Sequence, residues 1–154
     1  REQGVRSILE QRSGTEIVGT YYSEGKEERA YEITKKLLLE RPDLNGIVGL
    51  NEPSTVGAGR AIRELGLSGK VKLVGFDSSV KEVKLLEEGV LQSTIVQKPF
   101  NIGYLGIKTA VSIIEGDKVS RNVYTDSVVI NQDNMYTEAL SLCGRVASSF
   151  MGSC

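Results

Sequence analysis

Apolar positions along this chain fall into two patterns that take turns: short continuous runs, and longer stretches where they recur every three or four residues. The recurring stretches predict helices and the runs predict strands. Val5, Ile8 and Leu9 set one face of a helix over residues 1–12, and EIVGTYY reads as a strand over 16–22 after the Ser13-Gly14 turn. Ala30, Ile33, Leu37 and Leu38 line an amphipathic helix over 26–40, with charges on its outer face. RPDLN breaks it. A strand over 46–50 follows, then a helix over 54–66, a strand over 71–76, a helix over 80–88 closed by Gly89, and a strand over 92–97. Pro99 opens a helix over 100–115 that stops at Gly116-Asp117, and a last strand covers 123–131.

Strands alternating with helices across short loops predict an α/β fold of right-handed βαβ units around a parallel sheet. GIVGL and KLVGF are unbroken apolar runs, which fits strands covered by helices on both faces, a three-layer αβα arrangement. The 100–115 helix carries apolar residues on more than one face, Ile102, Leu105, Ile107, Val111, Ile113 and Ile114 among them. Two explanations stand: deep burial, or membership of a neighbouring domain. From Thr137 the chain turns small and Ser-rich, and this tail reads as one more helix or as an unstructured extension.

Three of the apolar runs end in one planar polar side chain: GIVGL-Asn51, KLVGF-Asp77 and STIV-Gln97. In open α/β sheets ligands sit outside the carboxyl ends of the strands. Each residue has a competing structural role. Asn51, before Glu52-Pro53, is placed to cap the next helix. Asp77 is relieved of capping by Ser79-Val-Lys-Glu82, which fits a capping box. Gln97 is a poor cap and ends a strand just before Lys98-Pro99. Together an amide, a carboxylate and a second amide offer planar donor and acceptor pairs suited to vicinal hydroxyls. Tyr21 and Tyr22 are candidates for an aromatic wall against a sugar ring, with ordinary strand packing as the alternative.

Composition narrows the chemistry. The chain of 154 residues carries 19 basic and 20 acidic residues spread evenly, without the basic block that nucleic acid or an anionic membrane would require. There is no histidine, which removes the commonest general base and metal ligand. Gly57-Ala-Gly59 lacks a third glycine and lies within a helical pattern, so close helix packing explains it better than a dinucleotide fingerprint. No cofactor is implied, and an enzyme reading has no visible machinery. Cys143 and Cys154 fall outside the periodic body and build no disulfide framework. The chain opens at Arg1 inside a helical pattern, so an upstream part is expected.

The stretches RPDLNGIVGLNEPSTVGAGRAI, KLVGFDSSVKEVKLLEEGVLQSTIVQKPFNIGYLGIKTA and VYTDSVVINQDNM resemble the type I periplasmic solute-binding proteins of sugar ABC transporters, the ribose-binding-protein-like group. The order N-[DE], V-G-F-D, Q-x-P and G-Y-L-G carries the likeness, which runs from Arg1 to about Met135. The resemblance implies two α/β lobes with a sugar in the cleft between them, and the chain as most of the C-terminal lobe with the N-terminal lobe missing. It assigns residues 1–98 to the sugar-binding lobe, 99–118 to a helix of the other lobe, 119–136 to a return strand segment and 137–154 to an atypical tail. Asn51, Asp77 and Gln97 then fall on positions that bond sugar hydroxyls, with Tyr21 or Tyr22 standing in for a site aromatic whose position falls near Gly25. The ligand arginine of the family is placed just upstream of Arg1.

The implied function is capture of a monosaccharide-like ligand for an ABC transporter permease, in a periplasmic or membrane-anchored extracellular protein. The alternatives are the effector-binding core of a LacI-type transcription regulator and a sugar-sensing extracytoplasmic domain. Apolar surface meant for the absent lobe predicts self-association of the fragment.

Overall fold

A computed structural model describes residues 1–137. Its elements are α1 (Glu2–Leu9), α2 (Glu27–Glu40), β1 (Gly46–Val48), α3 (Glu52–Glu64), β2 (Lys72–Phe76), α4 (Val80–Glu87), β3 (Leu91–Gln97), α5 (Pro99–Ile114) and β4 (Ser127–Asn131). The strands form one sheet in the order β1-β2-β3-β4. β1, β2 and β3 run parallel, as the alternating pattern predicts, whereas β4 returns antiparallel to β3 with Gln97 opposite Ser127. The fold is therefore mixed α/β with a parallel-dominated sheet. The reversal at β4 escaped the sequence pattern because periodicity says nothing about strand direction.

The core is continuous. Leu73 of β2, Leu91 and Val96 of β3, Ile62 of α3, and Leu85 and Leu86 of α4 are buried together, with Leu38 of α2 and Ile130 of β4 at its margins. α2 packs closely along α3, where Gly57 brings the two backbones together.

Two expectations need correction. Residues 16–22 join no strand ladder, and none of their backbone groups bonds another backbone group among the described residues. A strand needs a neighbour at its edge, and the nearest strand, β1, is separated from this segment by an open slot. The deep-burial explanation of the apolar helix also fails: no residue of α5 is buried, and Phe100 and Ile114 are more than four-fifths exposed. The tail from residue 138, including Cys143 and Cys154, lies outside the described residues.

Candidate functional site

Each of the three strand-end residues sits where a strand gives way to a helix, and backbone bonding fixes two of them. Asn51 is the N-cap of α3, its side-chain oxygen accepting from the Ser54 N–H at 3.0 Å. The capping alternative is thus realised. It occupies only the oxygen, and the side-chain amide has no protein partner among the described residues. Asn51→Ala is expected to lower stability by about 1 kcal/mol, read as a shift of the urea midpoint. Asn51→Ser, which restores a capping oxygen, is expected to recover most of it.

Asp77 is held in the left-handed region at φ 79. Such a conformation is uncommon outside glycine, though aspartate and asparagine tolerate it best. It is fixed from both sides by β3: the Asp77 N–H donates to Ile95 O at 2.9 Å, and the Thr94 hydroxyl donates to Asp77 O at 2.8 Å. As the capping box requires, Ser79 and not Asp77 caps α4, accepting from the Glu82 N–H. The Asp77 carboxylate is left facing over the strand ends. There Gln97 donates to its Oδ1 at 2.9 Å.

Arg1 completes the cluster, and the sequence reading missed it. Its guanidinium donates to Asp77 at 3.0 and 3.2 Å and to the Leu50 carbonyl at 2.6 Å, and lies 4.9 Å from the centre of the Phe76 ring. The site arginine expected upstream of Arg1 is a separate residue, and this placement leaves that expectation as it stands. The signal available in sequence was indirect: a carboxylate aimed away from any cap needs a cation, and Arg1 stands at the mouth of α1. The aromatic face in this cluster is that of Phe76, and it is turned to the Arg1 guanidinium.

Tyr22 is exposed and joins no strand ladder. Its hydroxyl donates to Glu2 Oε2 at 3.2 Å, one residue from Arg1. Arg6, on the next turn of α1, donates to the other Glu2 oxygen at 3.1 Å. Arg6 first, and then Tyr22, hold the Glu2 carboxyl below its ordinary range. Tyr22 is thereby tied to α1 beside the rim.

Glu82 lies under the same rim. Its side chain is fully buried, Oε2 accepts from the Ser79 hydroxyl at 3.3 Å, and Oε1 has no partner among the described residues. Burial, with Glu52 and Asp77 adding negative charge nearby, pushes its carboxyl up to about 8. At neutral pH it is a neutral acid, which lessens the cost of the orphaned oxygen.

Chemically the rim is a set of fixed planar groups: a carboxylate already oriented by two donors, two amides with unused hydrogen-bonding capacity, and a guanidinium. It has no nucleophile paired with a base. It is suited to grasping a neutral polyhydroxyl ligand.

Known proteins resemble this chain over most of its length. The ribose import binding protein of Haemophilus influenzae is 35% identical over 104 residues, covering 68% of this chain and 35% of that protein. A solved ABC transporter solute-binding protein from Agrobacterium vitis with bound D-fucose matches with TM-score 0.82 and 32% identity, over 90% of this chain and 48% of that one. A carbohydrate transporter solute-binding protein from Agrobacterium radiobacter, in complex with D-arabinose, matches with TM-score 0.82 and 32% identity over 91% of this chain and 48% of its own. The chain thus spans between about a third and a half of the length of these relatives. The model of the periplasmic binding protein domain matches residues 1–118, well over half of the sequence, and the chain belongs to that family.

Proposed function

We propose that this chain is most of the sugar-binding C-terminal lobe of a bacterial extracytoplasmic solute-binding protein, which captures a monosaccharide-like ligand and delivers it to an ABC transporter permease. The observation that carries the reading is the cluster of Arg1, Asp77 and Gln97 at the strand ends, where the Arg1 and Gln97 donors fix the Asp77 carboxylate and Arg1 also holds the Leu50 carbonyl next to Asn51. Asp77 accepts from one ligand hydroxyl, the Asn51 amide donates to another, and Gln97 does both. Tyr22 borders the site through Glu2. Residues 1–98 form the lobe, 99–118 a helix that packs on the other lobe, and 119–136 the returning segment. The exposed apolar side chains of α5, Phe100 and Ile107 among them, support that assignment and self-association of the chain on its own. The named relatives are binding proteins of sugar import, which supports a periplasmic or extracellular, membrane-anchored location and a transport role over regulation of transcription.

Closure of two lobes needs a ligand that contacts both, so the chain alone is expected to bind sugars far more weakly than the whole protein. Calorimetric titration of the full-length protein against pentoses and hexoses tests this. Asp77→Asn is the informative variant because asparagine tolerates the positive φ while removing the charge. It is expected to lose at least about tenfold in affinity, about 1.4 kcal/mol, and Asn51→Ser is expected to weaken binding with little loss of stability. Unchanged affinity in Asp77→Asn removes the residue from the site.

A further inference from the structure

Under the rim, the ends of β1 and β2 are joined by a side chain where a backbone bond is due. The ladder between them advances by twos: Lys72 N donates to Asn45 O, and Gly49 N donates to Val74 O. Continued in the same register, the Phe76 N–H falls to Gly49 O. It goes instead to the Thr55 hydroxyl at 3.4 Å, which itself donates to Asn51 O at 2.9 Å and lies 3.5 Å from Gly49 O. A threonine hydroxyl turned back on the carbonyl four residues earlier is ordinary in a helix. A bond accepted from a neighbouring strand is not, and here it comes from the residue before Asp77. Thr55 is fully buried, and two glycines make room for it. A Cβ at Gly49 would stand 2.5 Å from its hydroxyl oxygen, and one at Gly75 would stand 2.5 Å from its methyl carbon. Each glycine lies two residues ahead of a rim side chain, Asn51 in GIVGLN and Asp77 in KLVGFD. Arg1, partly exposed, spans the same seam from Leu50 O to the Asp77 carboxylate.

We propose that Thr55 is a positioning residue of the sugar site, a buried spacer whose hydroxyl sets the gap between the ends of β1 and β2 and with it the separation of Asn51 and Asp77. The inference rests on the reading of the rim as a sugar site. Groups that grasp neighbouring hydroxyls work only at the right separation, to within about 0.5 Å. A hydroxyl suits the task because it donates and accepts at once. It gives its proton to the carbonyl of the α3 cap and takes the Phe76 N–H from β2. Without it, that N–H either stays unpaired in the interior or closes onto Gly49 O, extending the ladder by one bond. The first loosens the two strand ends and the second draws them together, and both change the separation. β3 holds Asp77 from the other side, through Ile95 O and the Thr94 hydroxyl. A change in the β1–β2 seam is therefore felt between Asn51 and Asp77, and the Asp77–Gln97 pair is spared.

The test is calorimetric titration of the full-length protein with D-ribose, D-arabinose, D-allose and D-fucose, beside urea unfolding of each variant. Thr55→Val keeps the shape and removes the hydroxyl, and is expected to weaken the tightest of these sugars by about fivefold or more, the equivalent of one hydrogen bond. Thr55→Ser keeps the hydroxyl and removes the methyl, and is expected to bind within about twofold of the parent. Both are expected to lower the urea midpoint, one through a lost bond and the other through lost packing, so stability alone does not account for a difference in affinity. If Thr55→Val does not fold, Thr55→Ala against Thr55→Ser, a pair alike in size, decides the same question. Equal affinity with and without the hydroxyl overturns the proposal. Asp77→Asn, measured alongside, separates it from the sugar reading. Weaker binding by Asp77→Asn with no loss in Thr55→Val overturns the spacer and leaves the site standing. No loss in Asp77→Asn, or a parent that binds none of the four sugars, overturns the sugar reading and the spacer with it.

Discussion

Stability is expected to fall as the pH rises from about 4.5 towards 8, and Glu82→Gln is expected to abolish that fall. The unfolded chain releases this proton near the ordinary value of 4.5, whereas the folded chain holds it to about 8. Between the two the unfolded state binds fewer protons, so unfolding gains as pH rises. Each unit of separation corresponds to about 1.4 kcal/mol, which makes the whole effect a few kcal/mol. Below 4.5 both states are protonated and Glu82 contributes no slope; above 8 both are ionised and the loss is complete. The carboxyls of Glu27 and Glu64 are held low by their cationic partners, Lys81 and Lys35 first among them, and act in the opposite sense. Their contribution is present above 4.5 and is lost as the pH falls through their lowered values, outside the Glu82 window. With no histidine in the chain, that window is uncluttered. Glutamine preserves the shape and the neutral state, so the variant should match the parent near pH 5 and exceed its stability near pH 9. Urea unfolding at pH 5, 7 and 9 measures this. Parallel slopes for parent and variant would show that Glu82 ionises normally in the folded chain.

Gly57→Ala is expected to destabilise the fold by about 2 kcal/mol, within the range for overpacked cores. Alanine is intrinsically the better helix residue by roughly 0.5–1 kcal/mol, so the sign depends on space. At Gly57 a Cβ would run into the Glu27 carbonyl oxygen, and would approach the Ala30 Cβ at 2.7 Å and the Tyr31 N at 2.8 Å. Two of those atoms are backbone, which cannot turn aside as a long side chain can, so α2 must shift from α3. That shift would disturb the Arg60 bonds to Glu27 and Glu28 and its packing 4.7 Å from the Tyr31 ring centre. Gly103 is the control: nothing lies within 4 Å of its Cβ, so Gly103→Ala is expected to raise stability slightly. Thermal melts of the two variants should move in opposite directions. A Gly57→Ala melt equal to or above that of the parent would mean the helices are not so closely packed.

Most of the secondary structure was legible because its determinants are local. The apolar period of Ala30, Ile33, Leu37 and Leu38 turns one face of α2 inward, with Ala30 and Leu38 buried, Pro99 opens α5, and the Ser79–Glu82 pair caps α4, each within a turn of chain. The site was half legible for the same reason. Asn51, Asp77 and Gln97 stand out because each interrupts an apolar run at its end, and the capping box accounted for Ser79 in advance.

What the sequence determined by itself is the set of elements, their order, and the polar residues placed at three strand ends. The tertiary structure decided which groups meet. Arg1 reaches a carboxylate 76 residues away, Gln97 reaches the same oxygen across 20, and no spacing rule announces either. It also decided that 16–22, a strand by composition, is none here, because a strand is a property of two backbones and its neighbour across the slot is not in place. The direction of β4 and the solvent exposure of α5 belong to the same class. Periodicity records which face of a segment is apolar; only packing in three dimensions supplies what that face, or that edge, is set against.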